Sequence, residues 1–139
     1  MSILIAAALA AATTALPAHT STVEHRGQNL AVEYRPVVET KLRQAGMAPP
    51  GRPATQICNW KASVSVERKL QGAAHSQRVG DVREISGSQA GDCNLQGERI
   101  AQQVAARGDA VHAHVAAVAA ADRPVLLADL DIAHGRAGH

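Results

Sequence analysis

Cys58 and Cys93 are the two cysteines of this 139-residue chain. Four chemistries are open to such a pair. A redox couple sits close in sequence, commonly as C-x-x-C, and these two are far apart. A nucleophilic thiol needs a positioned base, and none can be located from the sequence. A zinc site needs four ligands, and the seven histidines do not fall at the usual spacings. A structural disulfide needs only an oxidising compartment, and it is the role the sequence favours for Cys58 and Cys93. The loop it closes is long, so the chain-entropy gain is about 3–4 kcal/mol.

Other polar groups give weaker signals. His112 and His114 are two apart on a stretch of helical pattern, about 200° around the axis, whereas one ion needs ligands at i and i+4. Gly87-Ser88-Gln89-Ala90-Gly91 precedes that stretch. It fails as a phosphate cradle, because Asp92 stands where a Gly-Lys-Ser/Thr run would follow. It fails as a nucleophile elbow, because Gln89 occupies the serine position. Arg68, next to Lys69, interrupts an apolar face. It is expected either to end a strand or to meet a carboxylate such as Asp129 or Asp131. If Arg68, Lys69 and Arg78 converge at a hairpin end, they can contact an acidic partner such as an envelope polymer. The residues predict no catalytic set, no metal site and no cofactor.

The N-terminus suggests the compartment. Ile3–Ala12 is an apolar run, and Thr13–Ala18 is small and helix-breaking. That order is expected of a secretory signal spanning residues 1–18, cleaved after Ala18 or after Ala15. A membrane anchor or a domain helix are the alternatives, but the run is shorter than the roughly 20 residues of a span. Export to the periplasm or the medium, with no transmembrane span left after processing, is the expectation.

Elements must position these groups with little aromatic material. The chain is 46% hydrophobic but holds only Trp60 and Tyr34 as aromatics, with no Phe, while 29 residues are Ala. Such a core buries less area per side chain, which makes a disulfide worth more. The formal charge is +2, with a basic surplus in the first two thirds and an acidic one in the last. Nucleic-acid binding is not expected, because dense basic patches and stacking aromatics are missing.

Residues 19–28 read as a flexible lead-in, 29–135 as a single domain and 136–139 as a frayed tail. Asn29–Arg35 alternates, with Leu30, Val32 and Tyr34 on one face and Pro36 ending it. Val37–Gln44 fits a strand or a helix, and its β-branched residues favour strand. Cys58, Trp60, Ala62, Val64 and Val66 alternate with polar residues and predict the central strand, one face buried. Val79–Ile85 is a further, weakly patterned strand, and Ser86–Asp92 reads as a loop. Ile100, Val104, Gly108, Val111, Val115 and Val118 line one face of a long helix over about 94–121. Asp122 is a candidate cap for a short second helix over 125–133, closed by Gly135. The fold expected is α+β. A small antiparallel sheet of 3–4 strands is followed by one long and one short helix packed on one face.

His25-Arg26-Gly27-Gln28, Tyr34-Arg35-Pro36, Cys58-Asn59-Trp60, and Ser86-Gly87-Ser88 with Gly91-Asp92-Cys93, together with the terminal helix, give the mature chain a further likeness. It resembles small exported proteins of alphaproteobacteria. That resemblance implies export and brings no activity with it. The expectation is therefore an exported, disulfide-stabilised binding or structural domain. Two other roles stand beside it. One is an enzyme or ligand carrier whose site forms only in the fold. The other is an envelope subunit pairing with a second copy through its Ala/Val-rich helix.

Overall fold

The computed structural model describes residues 17–47, 50–52 and 55–137. The stretch before Pro17, with the predicted cleavage after Ala15, and the last two residues lie outside them, while Ala18, the other predicted cleavage point, directly precedes β1. Four antiparallel strands run in the order of the chain: β1 (His19–His25), β2 (Gln28–Met47), β3 (Thr55–Leu70) and β4 (Gln77–Ala90). A 3-10 turn at Cys93–Leu95 leads into α1 (Gly97–Ala106) and α2 (Gly108–Ala137). The architecture is α+β, as the strands-then-helices order predicts.

The predicted central strand is β3. Cys58, Trp60, Ala62, Val64 and Val66 are all buried on its inner face. Val32 and Tyr34 of β2 and Ile85 of β4 join them there. Ile100, Val111, Val115 and Val118 cover that face from the helices, so the predicted helical stripe is the buried one. Burial of these branched aliphatics, at roughly 1.5–3 kcal/mol each, holds the two layers together.

Residues 19–28 are a strand and its turn, not a flexible lead-in. Arg26 and Gly27 both have positive φ, 51° and 78°, the backbone of a two-residue type I′ hairpin. Val23 supplies the buried side chain of β1. Nor does Pro36 end β2, which runs on to Met47. The reason is the direction of its missing N–H. In a two-residue hairpin His25 and Gln28 bond each other, so even-numbered residues of β2 face β1 and odd ones face β3. Gln71 N–H donating to the Ala31 carbonyl, 2.9 Å, fits that parity. Pro36 thus turns its donorless nitrogen to the β1 side and costs β3 nothing. The β1–β2 register ends at His19 opposite Tyr34. Two residues further it would set Pro17 against Pro36, where neither can donate, and so among the described residues the ladder stops at His19.

Ser86–Ala90, read as loop, belongs to β4. Gly87 lies opposite Trp60, and a Cβ there would sit 2.5 Å from the Trp60 ring. The small residues that look like loop are the space the indole fills. The helices also divide differently. The break falls at Arg107, with a short helix first and a long one second, and Pro124 lies inside α2. Pro124 is exposed, so the carbonyl it leaves without an intrahelical donor faces water, while Leu126 beyond it packs into the core. Asp122 is therefore no cap. Arg136 and Ala137 continue α2 rather than fraying.

Candidate functional site

Cys58 and Cys93 are joined, with 5.0 Å between their Cα atoms. The bond ties the inner face of β3 to the 3-10 turn that opens the helical layer. Gln44 of β2 reinforces the same corner. Its Oε1 accepts from the Cys93 N–H at 2.7 Å, and its Nε2 donates to the Ile57 carbonyl at 3.2 Å. Asp92 caps the turn, its Oδ1 accepting from the Asn94 N–H at 2.9 Å.

The second polar constellation is buried. Arg68 is on the inner face of β3, and Asp122 reaches it from α2, each 5% exposed. Arg68 Nη1 donates to Asp122 Oδ2 at 2.7 Å and to Oδ1 at 2.9 Å. Its Nη2 donates to Gln77 Oε1 at 3.1 Å and lies 3.5 Å from Asp129 Oδ2. The Tyr34 hydroxyl donates to Asp122 Oδ2 at 2.8 Å. Burial pushes the Tyr34 hydroxyl far above its ordinary range, and the bond and negative charge of Asp122 push the same way. No buried side-chain polar atom among the described residues lacks a partner. This group is a closed network that fixes α2 across β2 and β3.

Arg68, Lys69 and Arg78 do not converge. Lys69, two residues beyond Glu67 on β3, and Arg78, opposite Glu67 on β4, stand on the outer face of the sheet, while Arg68 points inward. Arg78 Nη2 donates to Ser65 Oγ at 2.9 Å. Alternation in β3 decides the matter, since neighbours in a strand face opposite sides. Of the two carboxylates expected for Arg68, Asp129 is beside it. Asp131 instead accepts from His25 Nε2 at 2.8 Å, which holds its carboxyl below the usual range. The main partner, Asp122, was hidden by its place before Arg123-Pro124, which reads as a helix start.

Near the first turns of α2 lies a cavity of about 290 Å³, lined by Pro17, Pro36, Gly108, Asp109, Val111, His112 and Val115. His112 is exposed beside it, and His114 bonds the Asp81 carbonyl at 2.9 Å, so the two histidines point apart as their spacing implies. Among the described residues no three His, Cys, Asp or Glu side chains group so as to hold a metal ion. No helix of the described residues is long and apolar enough to cross a membrane.

Fold and site define a disulfide-stapled α+β domain whose buried polar groups are spent on its own layers. Compared with protein-family models, with curated proteins and with solved structures, the chain matches none.

Proposed function

We propose that this chain is an exported binding or structural domain, stabilised by its disulfide and acting through its surface rather than through a catalytic cleft. The observation that carries the reading is the Cys58–Cys93 bond, with Cys58 fully buried. Such bonds persist in oxidising compartments and are rare in reducing ones. The apolar run at Ile3–Ala12 and the likeness to small exported proteins of alphaproteobacteria support the same compartment. The polar side chains best placed for chemistry, Tyr34, Arg68 and Asp122, are buried and already satisfy one another. The test is fractionation of cells making the full chain, with thiol alkylation before lysis and mass analysis of the product. Export predicts a chain shortened by about 15–18 residues, outside the cytoplasm, with no alkylated thiol. A full-length cytoplasmic product with two alkylated thiols would overturn it.

A further inference from the structure

Among the described residues the sheet has three kinds of free edge, and two of them are guarded. On β4 the backbone bulges between Arg83 and Val79, which lie opposite Val64 and Val66. Its edge carries two capped carbonyls, Asp81 bonded by His114 at 2.9 Å and Ser86 by Arg107 at 3.3 Å. β1 is short, and Pro17 precedes it. The third edge is the half of β2 beyond Pro36. Here Val38, Thr40, Leu42 and Gln44 turn their N–H and C=O groups away from β3, by the parity the hairpin sets. Among the described residues no backbone group meets them. Every residue from Glu39 to Gly46 is exposed, and Leu42 is 46% exposed despite lying on the inner, apolar face. Such an edge is a template for one more strand.

Side chains beside it specify what that strand carries. On the inner face the edge offers Val38 and Leu42, with Thr40 between them. On the outer face it offers Glu39, Lys41 and Arg43. At the Pro36 end of the outer face, charges oppose across strands: Glu33 faces Lys69, and Arg35 faces Glu67. At this end Lys41 faces Lys61, an unfavourable like pair, and Glu84 lies 3.8 Å from Lys61. Lys41 and Arg43 have no ion pair among the described residues. An added strand would bring its own side chains next to them, and acidic ones fit.

We propose that the Val38–Gln44 edge of β2 binds an extended peptide segment of a partner protein in which apolar and acidic residues alternate. The main chain of the peptide pairs with Val38, Thr40, Leu42 and Gln44. Its apolar side chains lie on Val38 and Leu42, and its carboxylates face Lys41 and Arg43. A second copy of this chain fits less well. The antiparallel register that sets Glu39 against the copy's Lys41 drives the copy's Ala45–Met47 into the places that Ala18, His19 and Thr20 hold. The first register that clears β1 sets Lys41 against the copy's Lys41, and the next sets Lys41 against the copy's Arg43. This assignment gives the binding-domain reading a partner class and rests on it, but its test needs no cell.

The probe is a capped, fluorescent seven-residue peptide alternating valine and glutamate, titrated into purified oxidised protein. Controls are the same composition in two blocks and a valine–lysine alternation. The alternating acidic peptide is expected to bind at least about tenfold more tightly than either. Thr40→Pro removes one edge donor where an edge strand tolerates proline, and is expected to weaken binding about tenfold with the melting temperature held. Lys41→Glu with Arg43→Glu touches only exposed side chains and is expected to invert the preference to the lysine peptide. Equal binding of all three peptides, or no inversion in the charge variant, would overturn the assignment. So would dimerisation in sedimentation without peptide binding, which would give the edge to a second copy. Failure here leaves the export result untouched, and failure of export leaves this titration untouched.

Discussion

Asp122 shows how much one buried carboxylate can hold. It accepts from Arg68 and from Tyr34, and each of those residues sits on a different strand. Asp122→Ala leaves a guanidinium buried with one charge gone, and the expected loss is about 3–5 kcal/mol in urea unfolding. Replacing Arg68 and Asp122 together by Met and Leu is expected to cost much less, because no unpaired charge remains. Tyr34→Phe removes one hydrogen bond to a charged group, about 1.5–3 kcal/mol. The raised titration of Tyr34 has a pH consequence. Its folded value lies above its unfolded one, near 10, so the folded state keeps a proton that the unfolded state has lost. Stability is full below about pH 10 and falls as pH rises above it. Tyr34 is the only tyrosine, so phenolate absorbance reads it alone. The phenolate band is expected to appear together with loss of helical signal, not before it. Asp131 works in the opposite direction. Its folded value is depressed by His25, so its contribution is full above about pH 4 and lost as pH falls through the lowered value. The side chain is exposed, and the effect is a small acid slope that His25→Ala reduces, with Arg26, 3.5 Å from Asp131, keeping the remainder.

At the scale of elements, alternation and helical stripes were readable because burial imposes their periods directly. β3 and the Ile100–Val118 face show this, since Cys58, Trp60, Ala62, Val64 and Val66 at period two, and Ile100, Val111, Val115 and Val118 at helical spacing, are in the core, with Val104 packed against it. What was not readable depends on partners distant in sequence. Pro36 looks like a stop until the hairpin parity shows that its nitrogen needs no donor. Gly87 and its serine neighbours look like loop until Trp60 is seen opposite them. Asp122 looks like a cap until Arg68 and Tyr34 arrive from two strands. The Lys41–Lys61 juxtaposition is invisible because 20 residues separate the two. The Gly87–Trp60 contact can be tested at this scale. Gly87→Ala puts a methyl within the ring's radius and is expected to cost about 1–3 kcal/mol, as overpacking does. Trp60→Ala is expected to cost about 3–5 kcal/mol and also to leave Gln103, now bonded to the indole at 2.7 Å, without that donor. Gly87→Ala in the Trp60→Ala background is then expected to be nearly neutral, because the clash has gone. Additive costs in that cycle would mean the glycine is required for its backbone alone.

For the whole molecule, one core joins sheet and helices, and the disulfide crosses between the layers at one end while Arg68–Asp122 crosses at the other. Two separated clamps on a core with two aromatics make cooperative unfolding depend on both. Trp60 reports the β3–α1 contact, Tyr34 the β2–α2 contact, and far-ultraviolet circular dichroism the backbone. In oxidised protein all three are expected to give one coincident urea transition. Reduction removes the chain constraint and is expected to lower stability by about 3–4 kcal/mol, read as a shift of the midpoint. The slope also carries information. Opening the disulfide lets the unfolded chain expand, so the dependence on urea is expected to steepen on reduction. If the clamps instead hold two loosely coupled halves, reduction would split the transition. The Trp60 signal would then move to lower urea, while the Tyr34 signal, anchored by Asp122, stayed near its oxidised midpoint. A coincident but shifted pair of transitions is the outcome expected, because Val111, Val115 and Val118 lie in the same buried cluster as Val64 and Val66.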